Sequence, residues 1–158
     1  MRLIIKNILF SLVVPGLGAV VLPWWILAHD WRLPRPVVWP GVVLIAAGLG
    51  LYVVCVRDFA TVGRGTPGPW DPPRSLVIAG PYRWVRNPIY LAAITVVLGE
   101  AVLFASLALV EYAVVMAAVV HVFVIGYEEP KLLRSFGGEY LTYKARVNRW
   151  LPRRPARS

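Results

Sequence analysis

Four stretches of the sequence are almost free of charged residues and are long enough, or nearly long enough, to cross a membrane as helices. They run over about 8–28, 37–56, 88–104 and 107–127. Roughly 18 consecutive apolar residues mark a transmembrane helix, and 58% of this chain is hydrophobic. We therefore expect an all-α integral membrane protein with about four transmembrane helices, forming a single domain over residues 1–158. A disordered chain and a water-soluble enzyme are excluded.

The basic residues predict the orientation of these helices. The chain has 17 Lys and Arg against 8 Asp and Glu. All but two of the basic residues lie in the N-terminal segment, the loop 57–87 and the tail 128–158, and the exceptions are Arg32 and Arg35 in the first turn. Because Lys and Arg collect on the cytoplasmic side of membrane proteins, both termini, this loop and the tail are predicted to be cytoplasmic. The positive charge therefore requires no nucleic acid to explain it.

Three local features refine this topology. The third and fourth spans are separated by almost nothing, which predicts a tight helical hairpin. The tail carries apolar residues at three- and four-residue steps, which is typical of an amphipathic helix lying along the membrane surface. Pro130 is expected to break the fourth span from the tail. The single cysteine, Cys55, excludes an internal disulfide and a multi-cysteine metal site; we predict a buried, inert thiol and no metal site.

Ionisable residues at membrane depth are costly and point to functional sites. Glu128 and Glu129 are adjacent carboxylates at the membrane boundary, so a cationic or hydroxyl-bearing group should meet them. A structural alternative is that Glu129 caps the following helix while Glu128 pairs with an arginine. His121 precedes Glu128 by two helical turns and should share its face; it either lines a site or makes a buried hydrogen bond between helices. Glu100 and Glu111 are interpreted as reaching the outer interface.

A polar cluster precedes the third span. Asn87 and Pro88 fit an N-cap residue followed by proline at the first helical position. The N-cap account does not explain the other polar residues of this cluster, which are Tyr82, Arg83, Arg86 and Tyr90. Near Glu128 and Glu129, they would form a pocket of mixed charge at the cytoplasmic face, and a ligand with a carboxylate or phosphate fits a helix N-terminus there.

Four motifs between residues 80 and 152 occur in a fixed order. They are Gly80-Pro81-Tyr82-Arg83-x-x-Arg86-Asn87-Pro88-x-Tyr90, Glu128-Glu129-Pro130-x-Leu132, Phe136-Gly137-x-x-Tyr140-x-x-Tyr143 and Val147-x-Arg149-Trp150-Leu151-Pro152. Together these segments resemble the isoprenylcysteine carboxyl methyltransferase and phospholipid N-methyltransferase superfamily, and the resemblance is specific only when the motifs are taken together.

The resemblance implies a membrane-embedded methyltransferase that uses S-adenosylmethionine and methylates a lipid, a prenylcysteine or another hydrophobic acceptor at the cytoplasmic face. By position it implies a set of cofactor-binding residues, to which Arg83 is added for its charge: Tyr82, Arg83, Arg86, Asn87, Tyr90, Glu128, Glu129 and Arg149. Candidate catalytic residues are Glu128, Arg86 and His121. Asn87 replaces a histidine often found at that position in the family, which favours a hydrogen-bonding role over proton transfer.

Two other functions stay open at this point. Sterol and steroid reductases share a similar Arg-x-Pro-x-Tyr segment and would use NADPH. A non-catalytic membrane scaffold is the other alternative, although it does not explain the clustered polar residues. Gly63-Arg64-Gly65-Thr66-Pro67 is a weak candidate for a phosphate or cofactor turn.

Overall fold

The computed structural model describes residues 15–29, 38–63 and 74–153, and these are almost entirely helical. The described residues form five α-helices, and three π-helical turns extend helix ends. In chain order the elements are a π turn Leu17–Val21, α1 Leu22–His29, α2 Val38–Asp58, a π turn Phe59–Gly63, a 3₁₀ turn Gly80–Arg83, α3 Pro88–Leu103, α4 Leu107–Phe123, a π turn Val124–Glu128 and α5 Glu129–Arg146.

Each of the four predicted apolar spans contains a helix. Two helical stretches, Trp39–Gly63 and Leu107–Arg146, are long and apolar enough to cross a membrane, with peak mean hydropathies of 2.1 and 2.3. Only 17% of each apolar window is buried inside the protein, so most apolar side chains face outwards, unlike those of a soluble core helix. The other two stretches, Leu17–His29 and Pro88–Leu103, are shorter. Four spans stay a prediction, and residues 8–14 of the first lie outside the described ranges.

Glycines allow α2 and α3 to make the most extensive helix contact of the described fold. A Cβ added to Gly48 would lie 2.7 Å from Val96 Cγ2 and 2.8 Å from the carbonyl oxygen of Ala92. A Cβ added to Gly99 would lie 2.8 Å from the backbone nitrogen of Ile45. Small residues at such contacts let helix backbones approach closely, which is how membrane helices gain packing energy.

The predicted hairpin between α3 and α4 is present and turns over residues 104–106. The Ser106 hydroxyl accepts a hydrogen bond from the backbone N–H of Leu109 at 3.3 Å and so caps α4. The Ser106 N–H donates to the carbonyl of Ala101 at 3.0 Å, and Phe104 N–H donates to Glu100 at 2.9 Å. These bonds satisfy backbone groups that the two helix ends would otherwise leave unpaired.

The prediction that Pro130 breaks the helix is wrong. Glu128 and Glu129 both have right-handed helical backbone angles, and the helical path continues from Leu107 across Pro130 as far as the kink at Gly137. The π turn Val124–Glu128 ends two residues before the proline, which therefore occupies the first turn of α5, where a missing N–H is tolerated. The non-helical residue in α5 is instead Gly137, with φ 51° and ψ −123°.

Residues 147–153, here named the closing segment, fold back beside the 3₁₀ turn. Val85 and Asn148 form a parallel bridge. Arg86 N–H donates to the Asn148 carbonyl at 2.8 Å, and Arg153 N–H donates to the Trp84 carbonyl at 2.8 Å. The polar cluster before α3 is thereby fixed to the C-terminal region.

We predict that Gly48→Ala destabilises the protein, because the new methyl group would overlap Val96 and the α3 backbone. The expected loss in the free energy of unfolding is about 1–3 kcal/mol, as for other overpacked contacts, measured by equilibrium unfolding in detergent micelles. Gly50→Ala is the matched control, since no atom of the described residues outside its own helix turn lies within 4 Å of its Cβ position. Equal losses in the two variants would contradict the close α2–α3 contact.

Candidate active site

A buried carboxylate joins three segments at one end of the bundle. Glu129 is 7% exposed, and its Oε1 lies 2.6 Å from Arg149 Nε and 3.1 Å from Arg86 Nη2. Its Oε2 accepts a hydrogen bond from Arg149 Nη2 at 3.1 Å and lies 3.0 Å from Lys144 Nζ. Arg149 therefore binds both oxygens in the bidentate geometry typical of strong arginine–carboxylate pairs.

This ion cluster leaves Glu129 fully engaged with protein cations. The hydrogen bond to Glu129 raises the pKa of the Arg149 guanidinium. The three cations come from the closing segment, from α5 and from the connection before α3. Sequence reasoning placed Glu129 and Arg149 in one site, and the structure brings them together as partners of each other.

A cavity of about 250 Å³ lies beside the ion cluster. It has a polar end and a largely apolar wall. The polar end is formed by Tyr82, Arg86, Asn87, Tyr90 and Glu128, and the remaining lining residues are Pro15, Gly18, Ala19, Tyr52, Phe59, Ile89, Ala93, Tyr112, Met116 and Val120.

Glu128 is the carboxylate among the lining residues. Its Oε2 accepts a hydrogen bond from the Tyr90 hydroxyl at 3.0 Å. The structural alternative for Glu128 and Glu129 is therefore wrong in both parts. The arginines bind Glu129 and not Glu128. The Glu129 side chain contacts cations and does not cap α5. One lone-pair region of Glu128 is engaged by Tyr90, and the carboxylate still borders the cavity.

Two lining residues carry buried polar atoms without partners in the described part of the chain. Arg86 uses Nη2 for Glu129 and Nη1 for the Tyr140 hydroxyl, at 3.5 Å, but its Nε has no acceptor. The Tyr82 hydroxyl is buried beside the Cys55 thiol, which is a weak hydrogen-bonding group. It has no nitrogen or oxygen partner among the described residues. Buried polar groups are nearly always satisfied, so a polar ligand in the cavity would complete this site.

Asn87 occupies the N-cap position of α3, but its side chain does not cap the helix. Its Nδ2 donates instead to the Arg149 carbonyl at 3.2 Å. The predicted position is right and the predicted capping bond is wrong, because the closing segment offers the amide a carbonyl acceptor.

His121 and Arg83 are not brought to the cavity. His121 is exposed, and its Nδ1 accepts a hydrogen bond from the Trp150 indole at 2.9 Å. The intervening π turn has more residues per turn than an α-helix, so His121 and Glu128 do not share the face that regular helical spacing predicts. Arg83 is exposed and lines a different groove.

The family model for phospholipid methyltransferase matches residues 37–139. This chain belongs to that family. The match confirms the resemblance found in the sequence. No curated protein and no solved structure gave a significant match.

The match to phospholipid methyltransferases covers α2, α3, α4 and the first part of α5. It includes Arg86, Tyr90, Glu128 and Glu129, whereas Arg149 and the closing segment lie beyond it. Membership in this family, together with the two long apolar helices, indicates a membrane protein with methyltransferase activity.

Several cavity residues escaped the sequence reasoning. Gly18, Ala19 and Phe59 belong to two of the π turns, which have no recognised sequence signature. Tyr112 could have been predicted from the sequence, because a hydroxyl in an apolar span requires a hydrogen-bond partner within the protein. Its hydroxyl donates to the Gly18 carbonyl at 2.6 Å and joins α4 to the π turn before α1.

Glu100, Glu111 and Cys55 do not line the cavity of this phospholipid methyltransferase family member. Glu100 and Glu111 are near the hairpin turn, and neither lines the cavity. Cys55 is a fully buried free thiol, as predicted. Residues 64–67 of the proposed glycine-rich turn lie outside the described ranges.

We predict that Glu129→Ala loosens the closing segment, because three cations would lose their shared carboxylate. Removing one partner of a buried ion pair typically lowers the free energy of unfolding by about 3–5 kcal/mol. Hydrogen exchange at the Arg86 and Arg153 amides should accelerate together. Glu139→Ala, an exposed carboxylate on the same helix, should leave both measurements unchanged, and equal effects would show that the ion cluster is not stabilising.

Proposed function

We propose that this protein transfers the methyl group of S-adenosylmethionine to a membrane-resident amphiphile whose polar head enters the cavity. The observation that carries this proposal is the Glu128 carboxylate, bound by Tyr90 at 3.0 Å, at the polar end of a cavity with an apolar wall. The family match supports the reaction class.

The residues at the polar end fit this cofactor chemically. Glu128 can bind its ammonium or sulfonium group, and Arg86 can bind its carboxylate through the Nε that has no acceptor in the described residues. The Tyr82 hydroxyl, which has no nitrogen or oxygen partner among the described residues, offers a further hydrogen-bonding group. Aromatic faces for the adenine are available from Phe59 and Tyr82, whose rings pack edge to face with centroids 5.5 Å apart. S-adenosylmethionine supplies a methyl group on an already activated leaving group.

The protein's own contribution is then mainly positioning. Holding acceptor and donor in line removes much of the entropic barrier of a bimolecular transfer. The ion cluster supports this because Glu129 holds the Arg86 guanidinium at 3.1 Å, and Tyr90 orients Glu128.

We propose an amphiphilic acceptor because the cavity, like an amphiphile, has a polar end and an apolar part. Ala93, Met116 and Val120 provide an apolar surface beside the polar end. A carboxylate acceptor needs no base, whereas an amine acceptor must be neutral. In the second case Glu128 is the lining group that can take the proton, and His121 is excluded from that role by its exposed position.

The first test concerns the cofactor-binding residues. We predict that Glu128→Gln weakens S-adenosylmethionine binding by about tenfold or more, because a charged hydrogen bond contributes about 1.5–3 kcal/mol. Titration calorimetry in detergent micelles measures the change. Glu100→Gln is the control, since Glu100 is also a carboxylate of an apolar helix but does not line the cavity. Equal effects of the two substitutions would refute the proposed site.

The second test concerns the reaction. Purified protein incubated with methyl-labelled S-adenosylmethionine and a membrane lipid extract should produce labelled lipid, identified by mass spectrometry of the products. Arg86→Gln should abolish most of the label. Absence of both cofactor binding and label transfer would overturn the proposal, and thermal stabilisation by NADPH in its place would favour the reductase alternative.

A further inference from the structure

A second polar groove, separate from the cavity, lies between α5 and the segment that contains the 3₁₀ turn. It has a volume of about 340 Å³ and shares no lining residue with the cavity. One wall is a single face of α5, and the other comes from the segment that contains the 3₁₀ turn. The lining residues are Ile78, Arg83, Glu139, Thr142, Tyr143, Arg146 and Val147.

The base of this groove is rigid. Tyr143 and Val147 are buried, at 5% and 7% exposed, and they pack with Leu76 and Tyr140. The Tyr143 hydroxyl donates to the Tyr82 carbonyl at 2.8 Å and so ties α5 to the opposite wall. The charged residues on the two walls are therefore held across a fixed base.

Two arginines reach the groove from different walls. Arg83 comes from the 3₁₀ turn and Arg146 from the last residue of α5. Within residues 15–29, 38–63 and 74–153, neither guanidinium makes an ion pair or a hydrogen bond. This contrasts with Arg86 and Arg149, which share Glu129. Two unpaired guanidiniums at one concave site favour a ligand with phosphate oxygens, which match their planar donor geometry.

Glu139 adds a negative charge to the same groove. It lies on the α5 face that also carries Thr142 and Arg146, at helical spacings of three and seven residues. It makes no ion pair among the described residues. The Thr142 hydroxyl already donates to the Gly138 carbonyl at 3.0 Å, so it can offer an incoming ligand only an acceptor. Glu139 and Thr142 thus suit a cationic, hydrogen-donating group next to the phosphate.

We propose that this groove binds a phosphodiester that carries an ammonium group, as in the headgroup of a zwitterionic lipid. The phosphate lies between Arg83 and Arg146, and the ammonium faces Glu139. This site is independent of the proposed function, because none of its residues borders the cavity.

The test compares two soluble probes and one lipid. Glycerophosphoethanolamine carries both charges, and glycerophosphoglycerol carries only the phosphate. A short-chain phosphatidylethanolamine below its critical micelle concentration adds the acyl chains. Binding of each to the full-length protein in non-ionic detergent is measured by titration calorimetry. Equal affinity for the soluble ethanolamine probe and the lipid identifies the free headgroup as sufficient, and tighter lipid binding identifies the lipid as the ligand.

Arg83→Gln and Arg146→Gln should each weaken binding of both soluble probes by about tenfold, which corresponds to about 1.4 kcal/mol. Glu139→Gln should remove only the preference for the ethanolamine probe. Arg134→Gln is the matched control, because Arg134 is an exposed arginine of α5 that does not line the groove. All four positions are exposed, so thermal unfolding should confirm that the variants remain folded.

Unchanged binding in the Arg83 and Arg146 variants would overturn this site, as would an equal loss in the Arg134 variant, which would indicate general charge attraction. If the cavity also binds the lipid, the groove variants should lower the stoichiometry from two to one. Failure of the proposed function can be distinguished from failure of this site, because it would appear as absence of S-adenosylmethionine binding in the same preparations.

Discussion

The ion cluster around Glu129 is the interaction on which the rest of this end of the molecule depends. One carboxylate, 7% exposed, neutralises cations from α5, the connection before α3 and the closing segment. At low local dielectric, such a cluster is tolerated while every charge is paired and becomes costly when one partner is missing. Because Arg86 belongs both to the cluster and to the cavity wall, the same bonds that close the fold also fix the cationic side of the candidate site.

The three π turns bring residues of the apolar helical stretches into the cavity wall, including one carboxylate. Each of the three contributes a lining residue: Gly18 and Ala19 in the first, Phe59 in the second and Glu128 in the third. Hydrogen bonding to the fifth residue widens a turn and rotates everything after it, and such turns are frequent at functional sites. In the third case the rotation also accommodates Pro130 without interrupting the helix.

The sequence was sufficient to predict the helices, the hairpin and the grouping of Arg86, Tyr90 and Glu128, because these follow from hydropathy, chain connectivity and the cost of buried charge. The sequence could not predict which of Glu128 and Glu129 faces the cavity and which binds the arginines. Neighbouring residues on a helix point about 100° apart, so only the packing decides which carboxylate faces the cavity and which faces the arginines. Arg83 shows the same limit. It is only three residues from Arg86, yet it lines the second polar groove, whereas Arg86 lines the cavity.

The position of the cavity follows from a change of residue size along one stripe of α2. Towards its first half the stripe carries Gly41 and Gly48, where the α3 backbone approaches too closely for any side chain. One turn beyond Gly48, Tyr52 lines the cavity instead, as does Phe59 at the start of the π turn that follows α2. Aromatic side chains there take the place of direct backbone contact, and space opens between the helices at the end where Glu128 and Arg86 lie. Tight glycine packing at one end thus allows an apolar-walled cavity with charged residues at the other, which is the division that an amphiphilic acceptor requires.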